Sequence, residues 1–284
     1  MSEPARPRVL VTNDDGVASE GLWHLAAAAA EAGLDPVIAA PAAEASGSGS
    51  ALSGVWDGSR VEIERTELPG VAASIAAYAV RATPAFIAFA ATRDAFGFRP
   101  RLVLSGINNG PNLGLGVMHS GTVGAALTAA AHGVPAAAFS LDTRNCEGRL
   151  EWSAAAAVAR QVIAVLLDRP DPGVLNVNVP NISAERLRGI RRASLAAPGV
   201  VQVAMAGPAE NYLHISMPGG PREPEPGSDS AVLAAGYASV TPLRGVGEAS
   251  ADGLPWRALD AGRDHEHRAG RLPQHVLADR PEQP

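Results

Sequence analysis

Lysine is missing altogether from the 284-residue chain, so all 23 basic residues are arginine. Against them stand 29 acidic residues, giving a formal net charge of −6 and an isoelectric point near 5.7. That balance argues against a protein that coats nucleic acid or lies on an anionic membrane surface. Cysteine occurs once, at Cys146, which excludes an internal disulfide and a site of paired thiolates. Aromatic residues make up only 4% of a chain that is 46% hydrophobic, so its core must be built mostly from Ala, Val and Leu. No apolar run reaches membrane length; the one from Ala154 to Leu167 is broken by Arg160 and Gln161. The opening MSEPARPRVL has none of the apolar core of a secretory leader. The expectation is a soluble, cytoplasmic protein, long enough for one large α/β domain or a core with an appendage. The absence of lysine, with abundant Ala, Gly and Pro, reads as codon bias and carries no functional weight.

What is present is concentrated first in Val9-Leu10-Val11-Thr12-Asn13-Asp14-Asp15-Gly16. The apolar, β-branched start reads as a buried strand with turn residues behind it. Neighbouring side chains on a strand point to opposite faces. Asp14 and Asp15 therefore share a target only if the chain bends there, which Asn13 and Gly16 tolerate. Two carboxylates brought together repel unless a cation lies between them, and the carboxyl ends of strands are where open α/β sheets bind ligands. Taken alone, the same residues also fit a solvated turn in which one Asp caps the next helix.

Ser19 or Glu20 to Ala32 reads as a helix, with Leu22, Leu25, Ala26 and Ala29 on one face and Gly33 as its stop. Pro36 to Ala40 is a second strand, completing a βαβ unit and hence a parallel sheet with a right-handed crossover. The Ser/Gly stretch from Pro41 to Ser50 lies where that strand's carboxyl end would be. Taken alone it fits a flexible surface loop; taken with the rest, it fits a loop presenting hydroxyls to the crevice of Asp14. Arg60 to Arg65 and Ser74 to Arg81 alternate enough to be strands, in an excursion from the main sheet. Thr83-Pro84 opens a helix to about Phe96, and Arg101 to Leu104 is another strand. It ends in a loop, SGINNGPNLGLG, with three Asn and four Gly between positions 106 and 116, more than a plain turn requires.

His119-Ser120-Gly121-Thr122 then starts a helix reaching Ala131. Its free N–H groups, two hydroxyls and positive dipole end suit a phosphate, and N-capping by Ser120 is compatible with that. Ala136 to Leu141 is a strand, Glu151 to Leu167 an amphipathic helix, and Val174 to Val179 (VLNVNV) an alternating strand ended by Pro180. From Leu187 the pattern changes to short strands at Ile190–Leu195, Val200–Met205 and Tyr212–Met217. A Pro- and Glu-rich loop, a helical piece at Asp229–Ala235 and a last strand at Tyr237–Pro242 come next. Beyond Arg244 the tail has little to bury and is expected to be mostly disordered; its Asp264-His265-Glu266-His267 reads as a solvated polar run.

Three predicted parallel strands thus end in loops of hard oxygen donors: Asp14 and Asp15, the loop of Ser46, and Asn108 to Asn112. No His or Cys pair in the core has zinc spacing, and oxygen-only donors select Mg2+, Mn2+ or Ca2+. Beside the helix start at Ser120, a cation and a phosphate would come together, the layout of a metal-dependent phosphatase.

In these motifs the chain resembles the SurE survival-protein family of 5'/3'-nucleotidases. The resemblance rests on VTNDDGV, on AP followed four residues later by Ser46-Gly47, on SGINNGPNLG running on to SGTVGAAL, on LNVNVP, and on GYASVTPL. It implies a three-layer α/β/α fold with a Rossmann-like, mostly parallel sheet over residues 1–185. It also implies a β-rich extension over 186–244 that exchanges between subunits of a homodimer or homotetramer, with the tail at 245–284. One divalent cation per subunit, Mg2+ or Mn2+, would be held by Asp14, Asp15, Ser46 and Asn108. The phosphate of a nucleoside monophosphate would meet Asn109, Asn112, Ser120, Gly121 and Thr122. Asp14, Asn108 and Ser120 are the implied catalytic residues, Asp14 orienting or deprotonating water; His119, where the family often has Tyr, is this chain's candidate to protonate the leaving oxygen.

The chain also departs from the family. The usual GTPADC is Ala82-Thr83-Pro84-Ala85-Phe86-Ile87 here, and the usual Glu after SGTV is Thr128. The first change is expected at the pocket wall and the start of the helix from Pro84, the second to remove a carboxylate near the site. A haloacid-dehalogenase-type phosphatase is disfavoured because its two acids stand two residues apart, where this chain has Gly16. A non-catalytic binding protein of the same fold is disfavoured by the intact set Asp14, Asp15, Ser46 and Asn108.

Overall fold

In the computed structural model the described residues are 5–144, 146, 148–168, 173–197, 204–209, 212–216 and 224–248. The chain divides into two units, residues 1–246 and 247–284, and every described helix and strand belongs to the first. The expected disordered tail beyond position 248, its His-containing run and most of the Val200–Met205 strand lie outside the described residues.

The elements in order are β1 (Arg8–Thr12), α1 (Glu20–Glu31), β2 (Asp35–Pro41), β3 (Trp56–Asp57), β4 (Arg60–Val61), β5 (Ile63–Thr66), β6 (Ala77–Val80), α2 (Pro84–Thr92) and β7 (Val103–Asn109). A 3-10 helix (Gly114–His119), α3 (Gly121–Ala131), β8 (Ala136–Asp142), α4 (Trp152–Leu167) and β9 (Val174–Pro180) come next. The last are β10 (Ile190–Arg192), β11 (Ala204–Ala209), β12 (Tyr212–Ser216), α5 (Asp229–Ala234) and β13 (Ala238–Leu243). One nine-stranded sheet runs β10-β13-β9-β8-β7-β1-β2-β6-β5. Its centre, from β9 to β6, is parallel, and β5 and β13 turn antiparallel against its two sides.

The two-residue period of the strands sorts the core into two layers. Val9 and Val11 of β1 join Leu22 and Leu25 of α1 and Val158 and Ile163 of α4 on one face. Leu10 of β1 joins Ile87 and Ala91 of α2 and Val123 and Ala126 of α3 on the other. Each such Leu, Ile or Val adds roughly 1.5–3 kcal/mol relative to leaving it in water. The result is three layers, helices on both faces of a mostly parallel sheet. Among the described residues no helix is long and apolar enough to cross a membrane.

Several sequence expectations need correction. The strand expected from Ser74 to Arg81 is no excursion: β6 lies parallel on β2 within the main sheet, pairing Ala77 with Ile38. Of the strands between β2 and α2, only the small β3–β4 hairpin stands apart from the main sheet; β11 and β12 form a second separate antiparallel pair. The helix from Pro84 stops at Thr92, short of Phe96, because Arg93 ends it and Asp94 adopts a left-handed φ of 61°. The strand expected to end at Leu104 continues to Asn109, through residues assigned to the loop. It slips register against β8 between Ser105 and Asn108. Gly106 makes this possible: a Cβ there would stand 2.2 Å from the Phe139 carbonyl oxygen.

Candidate active site

From β1 the chain crosses to β2 on one side, and later returns through α2 to place β7 on the other side of β1. The carboxyl ends of β1 and β7 therefore flank the point where strand order reverses, the usual crevice for a ligand. A cleft of about 680 Å³ opens there. Of the residues singled out in the sequence, Asp14, Asp15, Ser46, Asn108, Asn109, Asn112, His119 and Ser120 all line it, whereas Gly121 and Thr122 do not.

The turn after β1 is built by Asn13, whose Nδ2 donates to the Gly16 carbonyl at 2.9 Å and to Ser19 Oγ at 2.6 Å. Asp14, only 4% exposed, accepts the Thr122 hydroxyl on Oδ1. The start of α3 sits directly on it: a Cβ at Gly121 would come within 2.8 Å of Asp14 Cβ and 2.6 Å of Ser48 Oγ. Gly121 and Thr122, expected to face a phosphate, are thus turned onto Asp14, and Ser120 alone of that trio reaches the cleft. Burial raises the Asp14 pKa above the ordinary carboxylate value; the Thr122 hydroxyl and the N–H groups of Thr122 and Gly121 oppose the rise. Asp15 accepts the Asn109 N–H on Oδ2 at 3.0 Å. Burial, and then the charges of Asp14 and Glu44, push its pKa up to about 6. Among the described residues neither carboxylate forms an ion pair.

The loop after β2 is fastened to this turn by the Ala45 N–H, which donates to the Asp14 carbonyl at 2.7 Å. Ser46 is exposed on it, its hydroxyl donating to Glu44 Oε1 at 2.8 Å. At the end of β7, Asn108 donates through Nδ2 to the Gly110 carbonyl at 2.6 Å. Asn112 donates through its side chain to Ser140 Oγ at 2.9 Å, so one of its amide hydrogens is already held inside the fold. Ser120 caps α3, its Oγ accepting the Val123 N–H at 3.1 Å, and His119 lies exposed at the end of the 3-10 helix.

The two departures fall elsewhere than expected. Phe86 packs edge-on against Trp56, ring centres 5.3 Å apart, and no residue from 82 to 87 lines the cleft. Thr128 donates to the Gly124 carbonyl one turn back in α3, at 2.7 Å, and also stays out of the cleft. Sequence reasoning missed Glu20, Glu44, Leu150 and Trp152 as lining residues. Trp152 Nε1 donates to Glu20 Oε2 at 3.1 Å across 132 positions, a pairing that no local pattern announces.

Among the described residues, Asp14, Asp15, Glu20 and Glu44 give the cleft four carboxylates, and His119 is the one basic residue lining it. Among the described residues no group of three or more His, Cys, Asp or Glu side chains gathers as a metal cluster. The candidate donor set is of another kind, two carboxylates with a hydroxyl and an amide, which suits a hard cation that takes oxygen ligands. Two adjacent carboxylates, Asp14 buried and Asp15 half-buried, without an ion-pair partner among the described residues fit such an ion.

A sequence model of the family described as Survival protein SurE matches residues 9–200. The chain is 35% identical over 242 residues to a 5'/3'-nucleotidase SurE of Shigella dysenteriae serotype 1, covering 84% of this chain and 90% of that relative. It is 34% identical over 241 residues to a 5'/3'-nucleotidase SurE of Escherichia coli O1:K1, covering 83% and 89%. Among solved structures, that of the SurE protein from Aquifex aeolicus matches with a TM-score of 0.69 and 27% identity, over 92% of this chain and 100% of that one.

Proposed function

The chain belongs to the SurE family, and on that premise we propose that it hydrolyses nucleoside 5'- or 3'-monophosphates to nucleoside and phosphate. The reading includes one divalent cation per subunit, Mg2+ or Mn2+, and a cytoplasmic homodimer or homotetramer. The observation that carries it is a single cleft lined by Asp14 and Asp15, Ser46 and Asn108, from the ends of three neighbouring parallel strands. A phosphate dianion entering among four carboxylates needs a counter-charge that the lining residues do not supply.

Asp14, Asp15, Ser46 and Asn108 would hold the cation, which when bound polarises phosphoryl oxygen and makes water more acidic. The chain's own residues account for the rest. Asp14, its Oδ1 fixed by the Thr122 hydroxyl, orients water and accepts its proton on a carboxylate oxygen as the water oxygen bonds to phosphorus. The Ser120 hydroxyl, whose oxygen is fixed by the Val123 N–H, is free to donate its own hydrogen to a phosphate oxygen. His119 protonates the ribose oxygen as the phosphorus–oxygen bond breaks. Turnover of AMP and of p-nitrophenyl phosphate by the purified protein, with Mn2+ and after EDTA, tests this. Metal-dependent release of phosphate is expected; failure to hydrolyse any of a panel of nucleoside monophosphates with Mg2+, Mn2+ or Ca2+ sinks the reading.

A further inference from the structure

The segment from Asn108 to Ser120 carries much of the cleft, yet between Gly110 and Gly114 it contains no regular element. Something must fix it, since reacting groups on it are useful only in one geometry. Two buried devices do so. On β9, Leu175, Val177 and Val179 face the apolar layer beneath α1 and α4, so Asn176 and Asn178 point to the other side, where both are fully buried. Their amides grip the Asn112 peptide. Asn178 Oδ1 accepts the Asn112 N–H at 2.7 Å, and the Asn112 carbonyl accepts Asn176 Nδ2 at 2.8 Å and Asn178 Nδ2 at 3.0 Å.

Two residues on, Gly114 donates its N–H to Asp229 Oδ2 at 2.8 Å, across 115 positions. Asp229 is 0% exposed. Its Oδ1 accepts the N–H groups of Ala196 at 3.1 Å and Ser230 at 2.8 Å, and its own N–H donates to the Ser194 carbonyl at 2.8 Å. A buried carboxylate is tolerated only when donors surround it, and here one donor belongs to the first residue of the 3-10 helix that delivers Gly116, His119 and Ser120 to the cleft. The far end of that helix is held as well: the His119 carbonyl accepts the Gly49 N–H from the loop of Ser46, at 3.2 Å.

We propose that Asp229 is a positioning residue for the reaction: through Gly114 it sets the 3-10 helix, and so the place of His119 and Ser120 in the cleft. It touches no lining side chain itself; it acts through one backbone amide. The inference rests on the nucleotidase reading for its catalytic half, and on the hydrogen bond at Gly114 for its structural half.

Asp229→Asn keeps the shape of the side chain but sets an NH2 against one of the amide donors that the carboxylate now accepts. Ser228→Ala is the control. It removes the cap of the same short helix, where Ser228 Oγ accepts the Ala231 N–H at 3.2 Å, without touching Gly114. Both variants are expected to melt at lower temperature than the unaltered full-length protein. Only Asp229→Asn is expected to lose about 10- to 100-fold in kcat for AMP with Mn2+, KM changing by less than about threefold. Amide exchange over residues 112–119 should rise in Asp229→Asn and not in Ser228→Ala. An equal loss of kcat in Ser228→Ala overturns the proposal, since general loosening of the helix then explains the effect. So does exchange at Gly114 unchanged in Asp229→Asn, or a kcat within about twofold of the unaltered protein. If the unaltered protein turns over no nucleotide, the nucleotidase reading fails and the positioning role with it. Exchange at Gly114 still reports on the hydrogen bond in that case.

Discussion

Asp14 and Asp229 are buried almost equally, 4% and 0% exposed, but their surroundings differ. Asp229 is enclosed by three backbone N–H donors from two distant segments and its own helix. Asp14 has the Thr122 hydroxyl and the tip of α3 on one side, and on the other the open cleft and the like charge of Asp15. The first arrangement locks backbone to backbone. The second leaves a charge in search of a partner, which is what a cation site needs before its ion arrives. Burial alone therefore says little about a carboxylate's role; the donors around it decide.

Replacing each residue separates the two roles. Asp14→Asn is expected to lower kcat by about 10²- to 10⁴-fold, the range for losing a general base. Melting in EDTA should show no loss of stability, because the change removes a repelled, buried charge. Asp229→Ala should do the reverse in its order of severity: about 3 kcal/mol of stability lost in urea unfolding, from leaving buried N–H groups without an acceptor. If Asp14→Asn destabilises the metal-free protein as much as Asp229→Ala does, the contrast collapses.

Acid sharpens the contrast further. The folded-state pKa of Asp15 lies at about 6, above the ordinary value of 3.8, so protonation favours the folded chain. That contribution is fully present below about 3.8 and is lost as pH rises through 6. In EDTA, the melting temperature of the unaltered protein relative to Asp15→Asn should therefore climb between about pH 7 and 4. A gap that does not change with pH contradicts this account of the pair. The smallest effect is expected at Phe86, which is outside the cleft. Phe86→Ala should cost roughly 0.5–1.5 kcal/mol, the scale of an edge-to-face pair with Trp56, and leave kcat/KM within about twofold.

The same two carboxylates show what a sequence discloses. Asp14 was legible because it ends an apolar strand beside another Asp and a Gly, a local pattern with a local cause. The parallel βαβ start, most helices and the convergence of Ser46 and Asn108 on the same cleft follow from strand-end logic of that sort. Asp229 was not legible, since its meaning lies in an amide 115 positions away. Asn112 read as a phosphate contact, yet its peptide is gripped by Asn176 and Asn178, 64 and 66 positions distant. The extension of β7 through Gly106 escaped for a related reason. Glycine and asparagine signal a turn in sequence, whereas here the glycine admits a close pass by the Phe139 carbonyl. The inward turn of the Thr122 hydroxyl onto Asp14 likewise has no local signal.

Asp14, Asp15, Ser46 and Asn108 are proposed to share one ion; equilibrium titration of the metal-free protein with Mn2+, followed by the electron paramagnetic resonance of the free ion, tests this without any need for turnover. One Mn2+ per chain is expected, bound at least about tenfold more weakly in Asp14→Asn and in Asn108→Ala, the scale on which loss of a metal contact acts. Binding of undiminished affinity in both variants, or no binding by the unaltered protein, would contradict it.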